Sequence, residues 1–441
     1  MTKQLGTKDL FSIALGSVIG WGAFVLPGNV FLPNSGVLNT FIGFTIAIFM
    51  IFFIEKSYSI LLSIYSSVGG EYTFASRTFG SKTGFATGWL LTIAYLSIIP
   101  LNATAVPMVL ESITNWYSKG EMLYVFAGYA VYLNDLIVSL SIIVFFTYIN
   151  YLGINSSKLA QNLCVFGLLF SLLIIVFLSF FKYEATYYNN FKSNFGDFDW
   201  SQVVRIIAFA PWAFIGFDTV AQMSEEFKVD SKKASFSALV AVIFGGIVYN
   251  ILNIYTAFGV SSNDLENATW ATGQAVSQIL GSFALGILAI AMFGAVISGL
   301  NGFFMGASRL LFAIIKNEYK DSETSISVNY LVVIVGCLSC IVPFFGRNAL
   351  IWFVDLSSVG ASFAYFITCM AAFKLASTLK YKIYAVLGTL CSLLFLIFLL
   401  TPWFDSNIPF VSAICLFVWL GVGIVAYYKL HLSSSRKGIA V

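Results

Sequence analysis

Apolar blocks of about twenty residues recur along the whole chain, and this recurrence limits what the chain can fold into. A helix needs ~20 apolar residues to cross the hydrocarbon core of a bilayer, and soluble domains carry roughly 25% charged residues. Here only 10% of the 441 residues are charged and 59% are hydrophobic. The pattern predicts an all-α polytopic membrane protein. Its first apolar block is too long to be the core of a signal peptide.

Twelve apolar blocks are long enough to be counted as spans, and the eighth leaves room for a cytoplasmic extension. The predicted spans cover residues 9–33, 38–64, 83–110, 135–152, 159–181, 200–226, 235–260, 274–316, 328–345, 349–374, 382–402 and 408–429. Segment 121–133 is apolar but short. We interpret it as an interfacial or re-entrant piece on the outer side.

The positions of lysine and arginine orient the spans, because cytoplasmic loops carry an excess of both. With the N-terminus inside, seventeen of the 23 Lys and Arg residues fall on the inner side. The outer side holds Lys119, Lys182, Lys192 and Arg347, and spans hold Lys56 and Arg205. The sequence therefore predicts a multi-pass protein of the inner or plasma membrane. Both termini, including the tail 431–441, are expected in the cytoplasm.

The composition argues against metal and nucleic-acid chemistry. Cys337 and Cys340 have CxxC spacing, but no second Cys or His pair completes a metal site. The one histidine, His431, lies in the tail, and no basic cluster suggests a nucleic acid. We therefore expect no cofactor, no metal and no enzyme activity. The expected partners are the lipid bilayer and a small molecule, and no feature indicates an oligomeric state.

Two spans contain helix-breaking residues at mid-depth, at residues 16–28 in the first span and 209–218 in the sixth. Glycine weakens a helix, and interior proline removes a hydrogen bond. Irregular backbone at this depth must line a cavity or be buried in protein. Spans one and six would correspond in two five-helix repeats of opposite orientation. The matched pair therefore favours a binding site over two kinks without function.

Broken helices suit a zwitterionic ligand. A half-helix N-terminus offers free N–H groups and a positive dipole end to a carboxylate, and the free carbonyls of another half-helix accept bonds from an ammonium group. The sequence shows neither a dense acidic set nor a dense basic set at mid-membrane. A zwitterion held mainly by backbone therefore fits better than a highly charged ligand.

The motifs around these breaks resemble those of the amino acid–polyamine–organocation transporters, the amino acid permeases. The matching segments are residues 16–24, 69–72, 79–89, 214–226 and 308–313. Taken together they run through roughly the first ten spans. The resemblance implies a LeuT-type five-plus-five inverted repeat and alternating access around one central site. The repeats would cover residues 1–182 and 199–376, with two more spans in 380–430.

The resemblance also implies where a substrate would bind. Its carboxylate would meet backbone N–H groups around Gly20, Trp21 and Gly22, and its ammonium would meet nearby carbonyls. The implied substrate-binding set is Ser17, Val18, Gly20, Trp21, Gly22, Phe209, Ala210, Trp212, Ile215 and Phe303, and the gate or coupling set is Tyr95, Asp218 and Ser298. Trp212 and Asp218 match gate positions of the arginine–agmatine antiporter branch. Trp21 stands where a small serine is usual in the family, so the part of the site that would bind the carboxylate must have a different shape.

Simpler interpretations exist for the two gate candidates. Trp212 is also suited to an aromatic core, and Asp218 could cap the helix that follows the second break. Tyr95 and Asn102 are candidates for lining the cavity.

Other charged residues in or near the spans also have alternative interpretations. Glu55 and Lys56 are adjacent on one helix, so they need other partners, whether in structural ion pairs, snorkelling or coupling. Asp355 suggests a structural or gate role at the outer side. A solvated cytoplasmic loop is the interpretation for Glu225, Glu226, Lys228, Lys232 and Lys233.

We predict a secondary active or exchange transporter of amino acids, with a small neutral zwitterion as substrate. The alternatives are a polyamine or amine permease and a nutrient sensor that keeps a transporter fold. A membrane enzyme would need intramembrane nucleophiles or metal ligands, which the sequence lacks.

Coupling to a proton or sodium gradient is not favoured. Several branches of the family carry a span-five lysine where this chain has Gly167 or Leu168. Lys158 lies earlier in that span, ~10 Å away along the helix axis. A sodium site would need oxygen ligands, of which Ser298 is the one hydroxyl at a plausible depth in span eight. We therefore predict exchange or facilitated diffusion.

Overall fold

Eleven helical segments are long and apolar enough to cross a membrane in the part of the chain that the computed structural model describes. The described residues are 3–114, 116–182, 184–265, 268, 270–318 and 327–436. One of these segments, Gly22–Ile64, contains both the second part of the first predicted span and the second span. The prediction of an all-α polytopic membrane protein with about twelve helices is confirmed.

The elements alternate between long spans and short connecting pieces. The first half contains α1 (Thr7–Val18), α2 (Gly22–Leu26), α3 (Leu32–Ile64), α4 (Gly70–Phe79), α5 (Ser81–Ala103), α6 (Ala105–Ile113), β1 (Met122–Phe126), β2 (Tyr129–Tyr132), α7 (Leu133–Tyr151), α8 (Ile154–Ser179) and α9 (Ala185–Asn194). The second half contains α10 (Trp200–Phe214), α11 (Thr219–Gln222), α12 (Ser231–Gly259), α13 (Ala271–Leu280), α14 (Ser282–Glu318), α15 (Val328–Ile341), α16 (Gly346–Leu375), α17 (Leu379–Leu400) and α18 (Phe410–Arg436).

The first predicted span is divided into several helical pieces. Helix α1 ends at Val18, α2 begins at Gly22, and a π-helical turn at Pro27–Phe31 leads into α3. A kink inside α3 at Gly36, with φ +62°, separates the first predicted span from the second. A Cβ atom at Gly36 would lie 2.8 Å from the Phe195 carbonyl oxygen. Glycine is therefore required there both by its backbone angle and by this close approach.

The sixth predicted span is interrupted as well. Helix α10 ends at Phe214 and α11 begins at Thr219. Between them Gly216 has φ +119°, and a Cβ atom at this position would lie 2.7 Å from the backbone carbonyl carbon of Ser17. The interruption in the sixth span thus packs directly on the end of α1, and Gly216 permits that contact because it has no side chain.

Helix α1 lies at the centre of the bundle, where it contacts α8, α12 and α14. Buried amides link these helices. Gln161 donates to the Ser12 carbonyl at 3.1 Å, and Asn301 donates to the Gln161 side chain at 2.8 Å. Asn150 in turn donates to Asn301 at 2.8 Å. Such interhelical hydrogen bonds are a usual means of joining helices within a membrane.

The segment 121–133 forms an antiparallel hairpin of β1 and β2 rather than a re-entrant piece. It lies against the start of α16, where Tyr124 donates to the Phe344 carbonyl at 2.6 Å and Asn348 donates to the Ala127 carbonyl at 3.1 Å. We call the end of the bundle that carries this hairpin the outer end. The inner end is the one where residues 4–5 pair with residues 226–228. These names follow the sequence-based orientation.

Two further predicted boundaries differ from the structure. The eighth apolar block is not one helix, because Gly281, with φ +86°, separates α13 from α14. The chain beyond residue 430, predicted as a tail, continues α18 to Arg436. Residues 437–441 of that tail lie outside the described residues.

Candidate functional site

Two tryptophans from the two interrupted spans meet edge to face. The ring centroids of Trp21 and Trp212 are 5.8 Å apart, with an angle of 63° between the ring planes. The Trp212 ring also lies against Gly22, since a Cβ atom there would come within 2.8 Å of Trp212 Cζ3. The pair therefore joins the backbone around the first interruption to the side-chain face of α10.

A cavity of about 540 Å³ lies above this pair, towards the outer end. Of the predicted substrate-binding residues, Trp21, Phe209 and Trp212 line it. Its other walls include Leu101 and Met108, and the lining is mainly apolar. A pocket of this size with a few polar groups suits a small organic ligand.

The remaining predicted substrate-binding residues do not line this cavity and are packed in the protein next to the two interruptions. They are Ser17, Val18, Gly20, Gly22, Ala210, Ile215 and Phe303. Phe303 packs on Tyr95 with ring centroids 5.4 Å apart. Gly20 lies beside Asn102, whose Oδ1 atom would be 3.0 Å from a Cβ atom at that position. The structure thus divides the predicted set between an open cavity and the packed backbone beside it.

Asn102 binds the backbone of the first interruption. Its Oδ1 atom accepts a hydrogen bond from the Trp21 N–H at 3.4 Å, and its amide nitrogen donates to the Ile98 carbonyl at 3.1 Å. Ser298, predicted as a gate or coupling residue, donates to the Gly16 carbonyl at 3.4 Å. A carboxylate that binds the Trp21 N–H would have to replace the Asn102 oxygen.

Asp218 binds the second interruption instead of capping the helix that follows it. The Gly216 N–H donates to Asp218 Oδ1 at 2.6 Å, and the Tyr95 hydroxyl donates to Oδ2 at 2.5 Å. The side chain makes no capping hydrogen bond to α11. Asp218 does occupy the cap position before α11, but the interpretation of its side chain as a hydrogen-bonded cap is wrong. Asp218 instead connects the interrupted sixth span to α5, which carries Tyr95.

A second buried carboxyl group, that of Glu71, lies beside Asp218. Glu71 belongs to the motif segment 69–72 but was not predicted to be a site residue. It accepts hydrogen bonds from Tyr58 at 2.7 Å and from Gln222. Glu71 and Asp218 are both fully buried and lie within hydrogen-bonding reach of each other. A carboxyl group directly after Gly69-Gly70 at the end of an apolar block was a usable signal, because such groups are costly to bury and mark functional positions.

The loop after the second interruption is buried only in part. Glu226 is buried at the inner end, contrary to the prediction of a solvated loop, whereas Lys228, Lys232 and Lys233 are exposed. Arg309 forms an ion pair with Glu226, with N–O distances of 2.9 and 3.4 Å, and both side chains are buried. The Glu226 carbonyl accepts from the Gln4 and Leu5 amides, and the Lys228 amide donates to the Leu5 carbonyl. The N-terminal segment is thereby tied across the inner end.

Three other charged residues are accounted for by local contacts. Glu55 and Lys56 form an ion pair at 3.4 Å, so the expectation that neighbours on a helix need other partners is wrong for this pair. The flexible lysine side chain reaches back while Ser235 of α12 also binds Glu55. Asp355 accepts from Ser412 at 2.6 Å, which links α16 to α18 in a structural role.

The fold and its paired interruptions are those of a multi-pass membrane permease. The family model described as "Amino acid permease" matches residues 5–427. The chain therefore belongs to the amino acid permease family, which confirms the resemblance seen in the motifs. Members of this family transport substrates and are not enzymes.

Curated relatives with transport functions match over much of the chain. The L-methionine/branched-chain amino acid exporter YjeH of Escherichia coli is 23% identical over 405 residues, 90% of this chain and 91% of the relative. The branched-chain amino acid permease BcaP of Bacillus subtilis is 26% identical over 273 residues, 56% of this chain and 53% of the relative. An arginine/agmatine antiporter of Chlamydia pneumoniae is 22% identical over 86% of this chain and 80% of the relative.

Replacing Tyr95 by phenylalanine is expected to lower the rate of transport by about 5- to 100-fold. It leaves the buried Asp218 carboxyl group with one donor fewer, and an unsatisfied buried group costs about 1–3 kcal/mol. Uptake of labelled amino acid into proteoliposomes measures the effect. Tyr255→Phe is the matched control, because it also removes a hydroxyl group that is hydrogen-bonded to another helix, here by accepting from Ser179, away from the interruptions. Equal uptake by the two variants would contradict a role for the Tyr95–Asp218 bond.

Proposed function

We propose that this protein moves amino acids across the cell membrane by alternating access around the two interruptions. The observation that carries the proposal is their direct contact, in which Gly216 packs on the Ser17 backbone. A change of angle in one interrupted span must then displace the other. Trp21 and Trp212 lie on the outer side of this contact, and the Arg309–Glu226 pair lies on the inner side.

The arrangement fits two inverted repeats, residues 1–182 and 199–376, followed by two spans in 380–430. In such folds the substrate site lies at the interface of the repeats, near the bilayer midplane. The proposal places both termini in the cytoplasm, in agreement with the distribution of Lys and Arg. The outer cavity would then be the entrance for substrate from outside the cell.

The proposed substrate is a small neutral amino acid. The cavity wall is mainly apolar, and two of the relatives above are named for branched-chain amino acids. Glu111 and Asp135, the acidic residues of the cavity wall, are bound by Lys119 and Tyr117, so neither is left over for a basic side chain. A polyamine permease and a non-transporting sensor are the alternatives, and a mainly apolar cavity beside the two interrupted spans favours neither.

The proposed mode of transport is exchange or facilitated diffusion. Of the two residues aligned with the coupling lysine of other branches, Gly167 has no side chain and Leu168 is fully buried against Gly294. Lys158 is far from that position and donates to the Gln4 carbonyl at 3.0 Å at the inner end. At neither of these positions in the fifth span does an ammonium group lie near the two interruptions.

Purified protein in proteoliposomes loaded with L-leucine is expected to take up labelled L-leucine with no sodium and with equal pH on both sides. A panel of other amino acids and putrescine, tested as competitors, defines the substrate. Empty proteoliposomes are the control. An absolute need for a sodium or pH gradient would overturn the exchange mechanism. The amino acid assignment would be overturned if putrescine stabilised the protein and was taken up, while no amino acid stabilised it or was taken up.

A further inference from the structure

An arginine lies over the tryptophan of the first interruption. The guanidinium group of Arg347, in the first turn of α16, is 5.0 Å from the centroid of the Trp21 ring. It lines the outer cavity and donates to the Thr104 hydroxyl at 3.1 Å. A guanidinium group has five N–H donors in a planar fork. Stacking on Trp21 and the bond to Thr104 hold the group in place while leaving donors for a ligand.

The other charged groups in the cavity wall already have partners. Lys119 pairs with Glu111 at 3.0 Å, and Tyr117 donates to Asp135 at 2.6 Å. Burial, together with this hydrogen bond, raises the pKa of Tyr117, so it remains a neutral donor to that carboxylate. Within the described part of the chain, Arg347 forms no salt bridge. Asp135 of the same wall interacts electrostatically with Arg347 but lies beyond ion-pair distance. No carboxylate of the described residues therefore occupies the N–H donors of this cationic fork.

Two more donors at the base of the cavity lack acceptors. The indole nitrogens of Trp21 and Trp212 are buried, and neither has a hydrogen-bond partner among the described residues. Both side chains line the cavity below Arg347. A buried polar group without a partner is unfavourable and calls for an explanation. Two unpartnered N–H donors and a guanidinium fork together favour a ligand rich in acceptors, and a carboxylate fits a guanidinium in two-pronged geometry.

We propose that Arg347 binds the carboxylate of an amino acid in the outer cavity, above the Trp21–Trp212 pair, and so selects ligands that carry a carboxylate. This inference rests on the proposed function and names the group that recognises its substrate from outside. The Arg347 side chain supplies part of the carboxylate binding that backbone N–H groups around Trp21 would otherwise supply. Cationic ligands without a carboxylate, such as polyamines, are repelled by the same charge.

The test compares Arg347→Gln and Arg347→Lys with wild type in intact cells and in inverted vesicles, using L-leucine as substrate. L-leucinol, which keeps the amine and side chain but lacks the carboxylate, is the competitor. Arg205→Gln is the matched control, because Arg205 also makes one neutral hydrogen bond, to Asn34, but does not line the cavity. Melting temperatures of the purified variants show whether each is folded.

Arg347→Gln is expected to raise the KM for external L-leucine about 10- to 100-fold, which is the usual range for loss of a charged hydrogen bond. The values of kcat and of the KM measured from the inner side stay within about twofold, and the inhibition constant of L-leucinol does not rise, because this ligand has no carboxylate to lose and its cation is no longer repelled. Arg347→Lys is expected to fall between wild type and Arg347→Gln, since it keeps the charge without the fork.

An unchanged external KM, or equal losses for L-leucine and L-leucinol, would overturn the assignment of Arg347 while leaving the transport proposal standing. If wild type exchanges L-leucine, the proposed function holds whatever the variants do. If wild type exchanges neither L-leucine nor any other amino acid of the panel, the proposed function fails, and the Arg347 site fails with it.

Discussion

Gly22→Val is expected to abolish amino acid uptake while the protein still inserts into the membrane. A side chain at this position would meet the Trp212 ring and Leu26. Valine adds a Cβ atom and two methyl groups at that point and stiffens the backbone that changes angle in the proposed mechanism. Overpacking of this kind costs about 1–3 kcal/mol, or roughly 5- to 150-fold in an equilibrium constant, and the barrier to rearrangement adds to it. Uptake into proteoliposomes at matched protein amounts measures the loss.

Gly167→Val is the matched control for this substitution. Gly167 lies in a membrane span, and a Cβ atom there would meet nothing within 4 Å. The same change of side chain should therefore leave uptake near the wild-type value. Unchanged uptake in Gly22→Val would remove the main support for a substrate path through the first interruption.

Arg309→Ala is expected to lower the stability of the protein by about 3–5 kcal/mol, because it leaves Glu226 buried without its partner. The melting temperature of the purified protein, or the yield of folded protein where the variant does not survive purification, reports the loss. Lys119→Ala breaks the exposed pair with Glu111 and should cost about 0–1 kcal/mol. The double variant Arg309→Met, Glu226→Gln should regain part of the stability. Equal losses for Arg309→Ala and Lys119→Ala would contradict a stabilising role of the buried pair.

The spans and the places where two of them break were accessible from the sequence, because both depend on local composition. Twenty apolar residues define a span wherever they occur, and glycine and proline weaken a helix whatever surrounds them. The hairpin at 122–132 was not predicted because the segment is short and apolar, and such a segment is equally typical of an interfacial helix. Its identity is decided by contacts with Phe344 and Asn348, more than 200 residues later in the chain.

The partners of charged residues were the least predictable part of the site. Arg309 and Glu226 are separated by 83 residues, and Arg347 and Trp21 meet only because α16 begins beside the first interruption. No periodicity along the chain encodes such contacts. The prediction for Glu55 and Lys56 was wrong for a different reason. The rule that adjacent helix positions do not face each other describes the directions of the Cβ atoms, whereas a long lysine side chain can turn back towards its neighbour.

The backbone pairing at the inner end offers a way to measure opening of that end in the proposed transport cycle. The amides of Gln4, Leu5 and Lys228 are each held by one hydrogen bond to the backbone of the facing segment. None of these bonds depends on a side chain, so substitutions that alter binding leave them intact. Hydrogen–deuterium exchange at the three amides requires that the two segments separate. Their exchange rate, with and without amino acid in the medium, would report how often the inner end opens.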